Sequence, residues 1–421
     1  MRRVAITGVG PVTAIGVGRK AFEKAVRAGE CGIAEITGFE VADEGPLLAA
    51  EVVDLDVRQY LHSTKSYLDR NTELALVACE LAVHDAGLQL EKLERHRLGL
   101  CLGTEWANFH TLAAFHHVLA QKGPRLVPPF LFPHTYPNTT NSILSIEYGI
   151  QGLNLNFNGF HTSGAEAIAY AYEAILAGRA DIVIAGGAEA LCKELFDVYA
   201  ASGLLSPREK AQPVQGTAPN NTMALSHDNT LAEGCRPFAP DRNGFVLGEG
   251  AALFVLESEA SVRKRGALPL AWLAGAFRAG TDLAALRAAL GLLPRETRPQ
   301  AIFAAAAGSI AGDECEAKAL LNVFAGHTPP VTAVKSFCGE TLAAAGPIAL
   351  AAAVATLAHG QVPPTHGSST CAFSGLDLCL TARSIAGNGE ARRHLFGSSS
   401  SCLFVHTADP AGAAITLAVQ S

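Results

Sequence analysis

The sequence predicts an α/β protein built from two similar halves, and three observations predict it. Short strand-like runs alternate with helical stretches along the chain, as an α/β architecture requires. After Glu257 the same alternation starts again in outline. The 421 residues, 49% of them hydrophobic, can bury a large core, and no low-complexity linker separates the halves, so one compact body is expected. The boundary falls between residues 1–257 and 258–421.

In the first half, residues 4–7, 98–102, 153–157, 181–185 and 251–256 are short strand-like runs, with helical stretches at 74–86 and 165–177 between them. The opening Met1-Arg-Arg has the basic residues of a signal peptide, but Gly8, Gly10 and Pro11 interrupt any apolar core, so a first strand and turn are expected. The second half offers a strand near 270–274, a helix around 283–292, a strand at 301–305, helices at 314–324 and 344–358, and a last strand near 402–406. Residues 342–357 are apolar and alanine-rich, yet this run is shorter than the roughly 20 residues that span a bilayer and contains Gly346 and Pro347. It is expected to be a buried helix rather than a membrane segment.

Composition excludes several functions. Charged residues make up 17% and the net charge is −7, so no basic surface advertises nucleic acid. Ten scattered cysteines without a C-x-x-C pair suit neither zinc nor a disulfide scaffold, and are expected as small buried hydrophobes in a reducing cytoplasm. Gly8-Val-Gly10 lacks the third glycine and the acidic partner of a dinucleotide loop. His116 and His117, adjacent on a helix, point in different directions and have no nearby acid or cysteine to complete a metal set. No metal site and no cofactor is expected.

Residues 154–176 read as a strand, a tight turn at His161 and a helix. A helix N-terminus favours negative charge, so a cysteine at this turn would have its thiolate stabilised; an imidazole gains nothing comparable. Ser163 lacks a G-x-S-x-G elbow and is expected to cap the helix.

Several segments resemble the β-ketoacyl synthase family of fatty-acid and polyketide synthesis. They are Arg3-Val-Ala-Ile-Thr-Gly-Val-Gly-Pro-Val-Thr, Ala180-Asp-Ile-Val-Ile-Ala-Gly-Gly-Ala-Glu, and Cys235-Arg-Pro-Phe-Ala-Pro-Asp-Arg-Asn-Gly-Phe-Val-Leu-Gly-Glu-Gly-Ala, followed by Gly312-Asp313-Glu-Cys-Glu316-Ala and Val334-Lys335-Ser336. The resemblance implies a thiolase-like five-layer αβαβα fold with duplicated halves. It also implies a site where a cysteine and two histidines condense an acyl group with a malonyl carrier-protein thioester. In this chain those positions hold His161, Ala305 and Glu340. His161 lacks thiolate nucleophilicity, Ala305 cannot donate to a developing enolate, and a carboxylate at Glu340 would repel both malonyl group and enolate. Asp313, Glu316 and Lys335 match the family, and two roles are open to them, stabilising the loops or performing chemistry. The run Gly397-Ser-Ser-Ser-Ser-Cys402 falls where the family has a glycine-rich loop.

Such losses resemble the chain length factor, the non-catalytic ketosynthase-like subunit of type II polyketide systems. The resemblance implies a cytoplasmic heterodimer with a catalytic ketosynthase through the strand Leu153, Asn154, Leu155, Asn156 and Phe157. It further implies a tunnel-side helix after Gly103-Thr104 with Trp106, Phe109 and Ala113 on one face, and an acyl carrier protein docked mainly on the partner, since an acidic chain does not attract an acidic carrier by bulk charge. Two further classes remain: an enzyme of altered chemistry using His161 and Glu340, such as an acyltransferase, a malonyl decarboxylase or a hydrolase, and a self-associating or carrier-binding scaffold.

Overall fold

One wiring pattern is laid down twice. The structure, a computed structural model, describes residues 2–42, 45–207, 234–291, 298–385, 401–409 and 413–421. In the first half β1 (Val4–Thr13), β2 (Leu98–Thr104), β3 (Asn154–Asn158), β4 (Ile182–Glu189) and β5 (Gly250–Ser258) lie in the order β3-β2-β4-β5-β1. In the second half β6 (Ala271–Ala279), β7 (Ala301–Phe303), β8 (Val331–Thr332), β9 (Cys402–Ala408) and β10 (Ala414–Gln420) take the corresponding order β8-β7-β9-β10-β6. In each half the strand second from the edge runs parallel to both neighbours, and the pairs beyond are antiparallel. The halves join where Val4, Ala5 and Ile6 pair with Leu273, Trp272 and Ala271.

Parallel strands need both faces covered, and helices cover them. α1 (Arg70–Asp85) packs on the outer face of β1, β4 and β5; α6 (Asp282–Leu290) covers β6, β9 and β10, with α7 (Ile310–Val323) beside it. Between the sheets lie α4 (Ser163–Leu176) and α8 (Ala345–His359), each touching strands of both halves. The result is the five-layer αβαβα arrangement of the thiolase-like fold.

The apolar sequence of α8 follows from that position. By length and composition the run Leu342–His359 could cross a bilayer, yet 89% of it is buried within the protein. Pro347 is tolerated because it lies in the first turn, where backbone N–H groups have no helical acceptor, and Gly360 ends the helix at φ 70°. Seven of the ten cysteines are likewise buried, so most serve packing.

The structure alters several expectations. The first strand does not end in a turn at Gly8 but runs to Thr13, because glycines at 8 and 10 let α1 lie against it: a Cβ there would come within 2.2 Å of the Ala82 carbonyl oxygen and 2.0 Å of that of Ala78. The strands β8 and β10 are additions to the sequence reading. So are α3 (Thr139–Tyr148) and α5 (Lys193–Ser202).

Candidate functional site

His161 sits between the end of β3 and the start of α4, buried with 7% of its surface exposed. The helix start is pressed onto the end of β2, where Gly103 has no room for a side chain: a Cβ would lie 2.2 Å from the Ser163 backbone. Thr162 occupies the cap position without a side-chain cap bond. Ser163 does not cap either; its hydroxyl donates to the Phe160 carbonyl at 2.7 Å, tightening the turn that holds His161.

Two carboxylates flank the imidazole. Glu340 Oε2 lies 3.9 Å from His161 Nδ1 and 2.6 Å from Lys335 Nζ. The Leu342 N–H donates to Glu340 Oε1 at 3.0 Å, which helps hold Leu342 at its unfavourable φ of 49°. Both members of the ion pair are buried. The repulsive charge that Glu340 implies when taken alone is therefore compensated within the site.

On the other side, Glu105 Oε2 stands 3.5 Å from His161 Nε2, and Tyr199 of α5 donates to Glu105 Oε1 at 3.3 Å. Beneath it Glu189, at the end of β4, accepts from the backbone N–H of Glu105 at 2.7 Å and of Trp106 at 2.9 Å. Burial, with Glu189 and Glu340 nearby, pushes Glu105 up to about 8. Burial also raises Glu189 to about 8, against those N–H bonds, and holds His161 below the usual imidazole range. At neutral pH the His161–Glu105 contact is thus between a neutral ring and a protonated acid, and the Lys335–Glu340 ion pair lies on the ring's other side.

Ala305 presents a methyl group, and its N–H donates to Glu316 Oε1 at 2.8 Å. Asp313 accepts from the N–H groups of Phe238, Ala307 and Gly308. Burial raises Glu316 to about 7 and Asp313 to about 6. Both acids therefore tie down the loop after β7. Lys335 instead serves Glu340. Of the glycine and serine run, residues 397–400 lie outside the described residues, and Cys402 opens β9.

Trp106 and Phe109 come together with ring centres 5.1 Å apart, but not as neighbours on one helix. The helix α2 (Phe109–Lys122) begins at Phe109; Trp106 precedes it, separated by Ala107 at φ 54°. The two rings pack with Tyr199 against a buried cluster that includes Leu191, Phe196 and Leu342. Ala113, one turn further along α2, is half-buried and lies outside that cluster.

The strand β3, with Asn154, Leu155, Asn156 and Phe157, forms one end of the sheet and among the described residues pairs only with β2; Leu153 precedes it, its carbonyl accepting from Leu100 N–H. Leu153, Leu155 and Phe157 lean on the central core, and Asn156 Oδ1 is buried without a hydrogen-bond partner among the described residues.

The residues that the sequence reading missed are Glu105, Glu189 and Tyr199. A signal for the two acids was present: Glu105 follows β2 and Glu189 ends β4, and ligands of open α/β sheets gather at the carboxyl ends of parallel strands.

Comparison with known proteins places this geometry. The N-terminal domain model of β-ketoacyl synthase matches residues 1–261, and its C-terminal domain model matches residues 284–369. The 3-oxoacyl-[acyl-carrier-protein] synthase 2 of Staphylococcus aureus (strain COL) is 30% identical over 383 residues, covering 86% of this chain and 87% of its own length. Among solved structures, the ishigamide ketosynthase/chain length factor superposes with a TM-score of 0.86 at 25% identity, covering 100% of this chain and 99% of its own. A β-ketoacyl synthase from Burkholderia phymatum STM815 superposes with a TM-score of 0.83 at 24% identity, over 100% and 99% of the two chains.

Proposed function

The chain belongs to the β-ketoacyl synthase family, and from that premise we propose that it is a chain length factor: a subunit without condensing activity of its own that pairs with a catalytic ketosynthase and shapes the tunnel in which the chain grows. The observation that carries this reading is the buried Lys335–Glu340 ion pair. Condensation needs a hydrogen-bond donor there for the enolate, and a carboxylate already satisfied by a lysine offers none. Ala305 removes the other donor, and His161 replaces the thiol with a buried ring between two acids. The likeness to the ishigamide ketosynthase/chain length factor supports the same reading.

The partner is a catalytic ketosynthase, met through the open edge of β3, where the backbone groups of Asn154 and Asn156 face away from β2 and suit strand pairing across a two-fold axis. Acyl carrier protein docks mainly on that partner, and Trp106, Phe109 and Ala113 line the tunnel. Cytoplasmic location and the absence of a cofactor belong to this proposal.

Co-expression with candidate ketosynthases tests it. Native mass spectrometry should find a heterodimer, and the isolated chain should neither decarboxylate malonyl carrier protein nor condense it with a primer. His161→Cys alone should not restore condensation, because members of a catalytic unit act non-additively. Carbon–carbon bond formation by the isolated chain, or a monomer or homodimer that ignores every ketosynthase, overturns the reading.

One contact favours a second reading, an enzyme of altered chemistry: the neutral His161 ring 3.5 Å from the protonated Glu105 puts a base and an acid side by side. Thioester hydrolysis by the isolated chain, lost in His161→Ala, would select it.

A further inference from the structure

We propose that His110, Cys192 and Glu194 bind one divalent ion of the zinc class between the N-terminal ends of α2 and α5. Each offers one ligand atom, and the three atoms lie within 4.8 Å of one another. His110 Nδ1 and Glu194 Oε2 already meet at 3.2 Å. Small side-chain movements bring all three to bonding distance of a common centre, with a fourth position left for water.

The donor set selects the ion. One imidazole nitrogen, one sulfur and one carboxylate oxygen suit a borderline-soft ion in tetrahedral geometry, whereas magnesium and calcium prefer all-oxygen shells of six or more ligands. The surroundings favour a cation. The Asp69 carboxylate is near enough to act on Cys192, and the ammonium of neighbouring Lys193 is engaged by the Glu40 carbonyl and Asp197. Exposed His110 and half-buried Glu194 leave a way in, while buried Cys192 forms the floor.

Binding balances simply. The Cys192 thiol, which burial holds protonated, gives its proton to solvent as the sulfur–metal bond forms, and the His110–Glu194 hydrogen bond is replaced by two metal bonds. Thiolate and carboxylate then neutralise the ion's two charges. The ion would cross-link the helices that carry Phe109 and Tyr199, both packed on Trp106. The site escapes sequence inspection because its ligands come from segments 82 and 84 residues apart. It does not depend on the chain length factor reading.

The test uses the full chain, stripped with a chelator and titrated with cobalt(II). A one-to-one complex with the intense visible bands of tetrahedral cobalt and a thiolate-to-cobalt charge-transfer band is expected. Zinc should displace the cobalt; magnesium and calcium should not. Cys192→Ser should abolish the charge-transfer band, and His110→Gln, at an exposed position that cannot unfold the chain, should weaken binding by more than the ~10–100-fold typical of an outer-shell partner. Replacing the exposed thiols, Cys31→Ser and Cys315→Ser, should change nothing. Absence of the band in the wild type, its survival in Cys192→Ser, or its loss with Cys31 or Cys315 overturns the proposal.

Discussion

The buried pair of Lys335 and Glu340 makes a prediction whose size can be worked from the structure. Their side chains are 9% and 3% exposed and meet at 2.6 Å. Removing one partner strands the other charge in a place water barely reaches, which costs about 3–5 kcal/mol. Glu340→Gln keeps the volume, and its amide oxygen can still accept the Leu342 N–H, but the charge is lost and the amide NH2 is set against the Lys335 ammonium. Lys335→Met removes the ammonium while keeping most of the volume. If the variants acted independently, the double variant would lose about 6–10 kcal/mol; with both charges gone it should lose only about 0–2, giving a coupling of at least about 4 kcal/mol. Urea denaturation of the isolated chain, followed by tryptophan fluorescence, measures all three. Additive losses, or a Glu340→Gln cost below about 1 kcal/mol, would refute the claim that the site's charge is internally compensated.

Three further outcomes follow from other parts of the molecule. Folded Glu105 keeps its proton up to about 8 whereas the unfolded chain releases it near 4.5, so the folded state binds more protons between those values. Stability should therefore be full at pH 4.5 and fall towards pH 8, at up to about 1.4 kcal/mol per pH unit for this group; Glu105→Gln should flatten that slope in urea titrations from pH 5 to 9, and parallel curves would count against it. For the tunnel, Phe109→Ala should lengthen products, each added two-carbon unit gaining roughly 1.6 kcal/mol on burial. Ala113→Phe should shorten them at about 1–3 kcal/mol of overpacking; unchanged product masses from intact heterodimers would remove both residues from the ruler. Finally, Leu153 bonds to β2 through its carbonyl, so by strand alternation the Asn156 N–H faces outward. Asn156→Pro should leave the monomer's thermal stability almost unchanged and weaken pairing by about 1–3 kcal/mol for each ladder bond lost. An undiminished heterodimer in native mass spectrometry would exclude this edge.

The sequence makes the alternation of elements legible because each core strand is a run of apolar residues closed by glycine or a polar residue, and each central helix is rich in alanine. β10 carries a signal that the sequence reading passed over, Ile415, Leu417 and Val419 alternating as a strand should, whereas β8 has only two residues and no period to detect. At the site, the substitutions at 161, 305 and 340 are visible directly, but their meaning is not. Glu340 alone implies repulsion, and only the fold shows Lys335 upon it. Glu105 lies 56 residues before His161, and nothing local joins them. Helical spacing links Trp106 to Phe109 correctly in space and wrongly in cause, since the positive φ at Ala107, not a shared helix, brings the rings together.

The two ends of the sheet differ in a way that limits how copies can associate. At one end β3 is a five-residue edge strand on which the backbone groups of Asn154 and Asn156 face outward; at the other β8 has two residues, and Val331 is already bridged to Leu378. A sheet open at both ends could add strands from neighbour after neighbour and grow into a filament. With one long open edge on this sheet among the described residues, strand addition there would stop as soon as two edges meet, so the proposed pairing has a valence of one.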